Sequence, residues 1–264
     1  MKPLAAFPLA DRRALVGVLT DIDDTITTDG HLSAAAYSAL ERLRAAGLRV
    51  VPVTGRPAGW CDLIARLWPV DAVVGENGAF YMHHDRVARR LRTVHAVDAA
   101  TRATQRERLA ALGQEIIEAV PGCALASDQA YREADLAIDF CEDVPPLPQE
   151  AVDAIVRRME SAGLTARISS IHVNGWFGAY DKLSMTRRLV AEVFGGDLDR
   201  DRERWVFLGD SPNDAPMFGF FPHAIGVANV RALADRTPHL PAYITAAASG
   251  AGFVEACEFL LAEK

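Results

Sequence analysis

Hydrophobic and polar positions along the chain alternate between two periods. Residues 14–20 form a short apolar run that ends directly at Asp21, Asp23 and Asp24, as a buried strand running into a turn would. Ser33 can cap a helix over 34–46, with Ala36, Leu40 and Leu43 on one face and Gly47 as its stop. A second strand is expected over 48–53. Trp60, Ile64 and Leu67 mark one face of a further helix, and a third apolar run at 72–74 precedes Gly75-Glu76-Asn77-Gly78. This βαβαβ order predicts an α/β fold, a doubly wound, Rossmann-like parallel sheet with ligands beyond the carboxyl ends of its strands.

The pattern changes over 85–180. A helix around 106–120, a strand at 136–140, a Pro-rich loop at 145–148, a helix from Gln149 and strand-like pieces at 164–168 and 171–173 predict a small α+β domain inserted into the first. From Lys182 the α/β alternation resumes: a helix through Leu189 and Val193, a strand at 205–208 followed by Gly209-Asp210, short strands at 224–227 and 243–244, and a terminal helix at 253–261. The expected core is therefore 1–84 with 181–264.

With 264 residues, half of them hydrophobic, the chain can bury a sizeable core. Its net charge of -7 argues against nucleic-acid binding. The one basic run, Arg86, Arg89, Arg90 and Arg92, has no interleaved aromatic residues and reads as a solvated segment. Cys61, Cys123, Cys141 and Cys257 are too scattered for a zinc spacing and are expected to be buried thiols. No stretch has the length and apolarity of a signal peptide or a membrane span, so a cytoplasmic location is expected. No oligomeric state can be read from the sequence.

Three carboxylates within four residues, Asp21, Asp23 and Asp24, repel one another unless a cation offsets them. The competing reading is a polar turn that caps the next helix. Gly209-Asp210-Ser211-Pro212-Asn213-Asp214 repeats the situation on another strand, and oxygen-rich sites of this kind suit Mg2+. Helix capping explains Asp214 or Asn213 but leaves Asp210 without a reason. Thr54-Gly55-Arg56 closes the second strand and can present a hydroxyl and backbone N–H groups to an anion. Lys182 is a lone lysine where the core resumes.

In order and type these four segments resemble the motifs of the haloacid dehalogenase superfamily: Asp-x-Asp, Thr/Ser, Lys and Gly-Asp-x-x-x-Asp. Thr54-Gly55-Arg56, Glu76-Asn77-Gly78-Ala79 and the inserted region resemble the subgroup with a large α/β cap that includes Cof-like sugar phosphatases. Leu183 departs from many relatives, which have glycine after the lysine, and the cap region is shorter than in many Cof-like enzymes. The resemblance implies a Mg2+-dependent phosphatase with Asp21 as nucleophile and Asp23 as general acid/base. It implies Thr54, Gly55, Arg56 and Lys182 as phosphate-binding groups. Asp21, Asp210 and Asp23, through its backbone carbonyl, would ligate the metal, with Asp214 as an outer ligand. The expected partner is a small phosphorylated metabolite, foremost a sugar phosphate. A phosphomutase would use the same residues. A receiver-like phospho-acceptor module would be about half this length and would need no insert.

Specificity is expected from the insert. Within 169–176, His172, Asn174 and Trp176 offer hydrogen-bonding groups and an aromatic face for a sugar. The competing reading places Trp176 in the core of an insert strand. Asn77 and Asn213 are further candidates for supporting or substrate contacts.

Overall fold

A computed structural model of the protein describes residues 1–262. The chain enters through β1 (Lys2–Pro3) and α1 (Leu9–Ala14), then runs through β2 (Gly17–Thr20), α2 (Ala34–Ala45), β3 (Arg49–Pro52), α3 (Ala58–Leu67) and β4 (Val73–Gly75). A hairpin, β5 (Phe80–Asp85) and β6 (Arg90–His95), leads into α4 (Ala99–Ala119), β7 (Ala124–Leu125), β8 (Asp135–Asp139), α5 (Gln149–Ser161), β9 (Thr165–Ile168) and β10 (His172–Trp176). The return consists of α6 (Lys182–Phe194), α7 (Leu198–Asp201), β11 (Trp205–Gly209), α8 (Ala215–Phe220), β12 (Ile225–Gly226), β13 (Tyr243–Ile244) and α9 (Ser249–Leu261).

Six strands pair in parallel in the order β1-β13-β12-β11-β2-β3, and a parallel bridge between Val53 and Val74 brings β4 alongside. Both faces are covered, which is why the strands read as unbroken apolar runs. Val18, Val50 and Val206 pack with Leu40, Leu43 and Phe253 on one side. Their neighbours Leu19, Val51 and Phe207 pack with Met185, Leu189 and Phe218 on the other. The period of two along each strand thus divides the core between α2 and α9 on one face and α6 and α8 on the other.

Two details differ from the sequence pattern. The buried face of α3 is Ala58, Cys61, Ile64 and Ala65, whereas Trp60 and Leu67 are exposed. Arg56 lies over the Trp60 ring at 4.3 Å and supplies the packing that the helix face does not. Residues 85–95, which the change of pattern joins to the insert, complete the antiparallel hairpin begun by β5, and Leu91 and Val94 rest on the core clusters. Arg89, Arg90 and Arg92 mask that alternation with exposed charge.

The insert is an antiparallel sheet ordered β7-β8-β10-β9, with α4 and α5 packed on one face over Leu136, Ile138 and Val173. The alternate positions Asp135, Asp139, His172, Asn174 and Trp176 point the other way. Among the described residues no helix is long and apolar enough to cross a membrane.

Candidate active site

Asp21 follows β2, Asp210 follows β11 and Thr54 lies just beyond β3, so the parallel sheet delivers all three to one edge. Lys182 is the first residue of α6. Asp181 caps that helix reciprocally with Ser184: the Asp181 carboxylate accepts the Ser184 N–H at 2.7 Å and the Asp181 N–H reaches Ser184 Oγ at 2.9 Å. The cap aims Lys182 inward, where Nζ donates to Asp21 Oδ1 at 2.7 Å and to Asp214 Oδ1 at 2.6 Å. Gly78, at φ +105°, lets the turn after β4 press against this helix start, since a Cβ there would collide with the Asp181 carbonyl oxygen.

Asp21, Asp210 and Asp214 are all buried and bring one oxygen each within 4.8 Å of one another. Asp214 Oδ2 accepts the N–H groups of Asp210 and Ser211, at 3.0 and 3.3 Å. Asp210 accepts the Thr25 hydroxyl at 3.2 Å and Asn229 Nδ2 at 3.1 Å. Burial pushes the Asp21 carboxyl up to about 8 against the pull of Lys182, with Asp214 adding to the rise. Burial, then Asp21 and Asp214, raises Asp210 as well. Burial works against the Lys182 charge, but the two carboxylates hold it above the ordinary lysine range. One ammonium thus faces three buried carboxylates, and the excess negative charge, presented by oxygen donors alone, fits a hard divalent cation such as Mg2+.

Asp23 stands outside this trio. Its carboxylate receives Arg56 Nε at 2.9 and 3.0 Å, and the same guanidinium reaches Glu142 at 2.6 Å and Asp128 at 3.3 Å, both in the insert. Arg56 is therefore occupied by three carboxylates, which corrects the expectation that it binds phosphate: its cation is spent joining Asp23 to the insert. Burial alone would raise Glu142, but hydrogen bonds from His172 and Arg56 outweigh it and hold the carboxyl down to about 2. Thr54 is fully buried, and its Oγ accepts the Arg56 N–H at 3.0 Å. A Cβ on Gly55 would crowd the Asn77 side chain; Asn77 sits at φ +53° and accepts a bond from Asn213 Nδ2 at 3.2 Å, so these residues brace the loops around the site.

The expected sugar-reading stretch is mostly interior. Asn174 Nδ2 donates to Asp135 at 2.9 Å, and Trp176, 1% exposed, donates Nε1 to the Tyr180 carbonyl at 3.1 Å. Both therefore hold the insert together, whereas His172 Nε2 lies 2.8 Å from Glu142. Only Ser170 and Ile171 from this stretch line the cleft of about 360 Å³ that opens beside Asp23, Asp24, Asp29, Arg56 and Glu142. Cys141 also borders it and is the one half-buried thiol of the four.

The sequence reading missed a buried set that ties the insert to the loop that follows Thr54. The Glu76 carboxylate accepts the N–H groups of Ala58, Glu133, Ala134 and Asp135 at 3.0, 2.9, 2.6 and 3.2 Å. Arg132 donates to the Gly55 carbonyl at 2.9 Å while paired with Asp128 and Asp135. Glu76 had a local signal, the acid in Gly75-Glu76-Asn77-Gly78. Asp128, Arg132, Glu142 and Asn229 had none, being polar residues in segments without a clear motif.

The family model of haloacid dehalogenase-like hydrolases matches residues 18–106. A phosphoglycolate phosphatase of Methanosarcina mazei is 25% identical over 248 residues, covering 92% of this chain and 95% of that protein. The C-terminal domain of C. albicans trehalose-6-phosphate phosphatase has a similar fold, with a TM-score of 0.70 at 13% identity over 98% of both chains. The sucrose-phosphatase of Synechocystis sp. PCC6803, solved with sucrose and phosphate, gives 0.64 at 17% identity over 93% of this chain and 98% of its own.

Proposed function

We propose that this chain, which matches the haloacid dehalogenase-like hydrolases over residues 18–106, is a phosphatase that hydrolyses a sugar phosphate through an aspartyl-phosphate on Asp21, with Mg2+ bound. The observation that carries the reading is the Asp21 carboxylate itself. It is buried at the tip of the sheet, with Oδ1 taken by Lys182 and Oδ2 left to attack phosphorus.

Asp21 and Asp210, with the Asp23 backbone carbonyl, would hold Mg2+, with Asp214 as an outer ligand because its oxygens already take Lys182 and the Asp210 and Ser211 N–H groups; the ion when bound offsets the charge that otherwise keeps two anions apart. Lys182 and the Thr54 hydroxyl are the protein's own donors to the non-bridging phosphoryl oxygens, preorganised by burial. As the P–O ester bond breaks, Asp23 gives its proton to the leaving oxygen. The ionised Asp23 then takes a proton from water, whose oxygen attacks phosphorus, releases phosphate and restores Asp21. The insert borders the cleft through Glu142, Ser170 and Ile171, and Arg56 orients Asp23.

The test is turnover of a hexose 6-phosphate with and without chelator in wild type and Asp21→Asn. Chelation should abolish turnover, Mg2+ should restore it, and the variant should fall by several orders of magnitude with its fold intact. Residual turnover in excess chelator, or an active Asp21→Asn enzyme, would refute the mechanism.

A further inference from the structure

The cleft beside Asp23 must receive whatever the phosphate is attached to, and its charge is lopsided. Asp23, Asp24, Asp29 and Glu142 border it, against the single guanidinium of Arg56. That guanidinium is not available to an incoming anion: Nε lies on Asp23, the terminal nitrogens on Glu142 and Asp128, and the plane stacks on Trp60. Glu142 also has His172 Nε2 2.8 Å behind it, so it cannot swing aside without giving up the Arg56 ion pair and that contact.

We propose that Glu142 makes this a subsite for uncharged, hydroxyl-rich leaving groups and excludes leaving groups that carry a carboxylate. The inference rests on the phosphatase reading above and narrows it. Carboxylate oxygens and the Ser170 region accept and donate hydrogen bonds to hydroxyls, whereas a second carboxylate entering the cleft meets like charge with no free cation. The substrate named for the Methanosarcina mazei relative, phosphoglycolate, carries such a carboxylate, and sucrose, bound in the Synechocystis structure, does not.

A matched pair isolates the effect. Phosphoglycolate and 2-hydroxyethyl phosphate differ only in a carboxylate for a hydroxymethyl group, so the ratio of their kcat/KM values reports the subsite rather than the chemistry. Wild type should favour 2-hydroxyethyl phosphate by roughly a hundredfold, the size of one uncompensated like charge a few ångströms away at a protein's effective dielectric. Glu142→Gln, which keeps shape and frees Arg56, should cut that ratio roughly tenfold or more by raising kcat/KM on phosphoglycolate. Asp29→Asn, a surface change at a positive-φ position that Asn tolerates, should move it the same way by less. Melting curves confirm that both variants fold. A wild-type ratio near or below one, or a ratio unmoved by Glu142→Gln, overturns the proposal while leaving the phosphatase reading intact. Loss of all turnover, including on p-nitrophenyl phosphate, in wild type with Mg2+ would sink both.

Discussion

Lys182→Met is the sharpest probe of the charge balance at the sheet edge. It keeps most of the buried side-chain volume but deletes the ammonium that donates at 2.7 and 2.6 Å to Asp21 and Asp214. Three buried carboxylates then face one another, with Asp210 the third. Removing one partner of a buried pair costs about 3–5 kcal/mol, because the other charge is left uncompensated. For a chain of 264 residues the entropy of unfolding is about 0.5 kcal/mol/K, so the melting temperature should fall by roughly 5–9 °C in chelator at pH 8. The sign of the pH dependence follows from Asp21. Burial lifts its folded-state carboxyl to about 8, above its unfolded value, so its contribution to stability is present at low pH and lost as pH rises through that value. The variant, lacking the opposing ammonium, should be closest to wild type near pH 5 and furthest from it at pH 8. Mg2+ should narrow the gap at pH 8 by supplying positive charge at the same oxygens. Calorimetry of both proteins at the two pH values, with EDTA or MgCl2, reads all of this. Equal melting temperatures at pH 8 in EDTA would show that the ammonium is not what holds the carboxylates together.

Asp23→Asn should barely turn over a sugar phosphate yet still form phospho-enzyme from an aryl phosphate, whose leaving group needs little protonation; normal turnover on the sugar phosphate in rapid-quench assays would remove Asp23 as the acid. Asn174→Ala should lower stability by about 1–3 kcal/mol in urea titrations, because Asp135 loses a buried partner, and should leave substrate preference unchanged. Gly78→Ala forces both a positive φ and a collision with the Asp181 carbonyl, so α6 must shift and carry Lys182 with it. Its kcat should fall at least tenfold while the aryl and sugar phosphates suffer alike, and wild-type kcat would contradict the role given to that turn.

The meeting of Asp21 and Asp210 was legible because each follows a short apolar strand, and parallel strands bring their carboxyl ends to one edge whatever lies between, whereas Asp214 and Lys182 were placed with them only by the resemblance to the haloacid dehalogenase motifs. The contacts of Arg56 were not legible. Asp128 and Glu142 lie 72 and 86 residues away in the chain, and no local pattern says that the arginine two residues after Thr54 will be spent on them. Asn174 and Trp176 failed for a related reason. Alternation along β10 gives the face they share with His172, but whether that face meets substrate, solvent or a buried carboxylate depends on Asp135 and Tyr180. The buried face of α3 was misjudged because an exposed tryptophan under a guanidinium has the same letter as a core tryptophan.

The bonds from Glu76 to residues 133–135, returned by Arg132 to Gly55, have a mechanical consequence. They fasten the insert to the core along one margin through the Glu76 carboxylate and the Arg132 guanidinium, each bonded to backbone, while the opposite margin is held by side-chain pairs: Arg56 with Glu142, and the partly exposed Arg236 with Asp153. A body pinned along one margin swings. β8 leaves the pinned end at Asp135 and, over about 13 Å of strand, carries the acidic wall outward to the loop of Glu142. Any opening about that margin would have to break the Glu142–Arg56 pair while the Gly55 loop and Asp23 stay in place, and amide exchange should find 133–135 slow and the 140–143 loop fast.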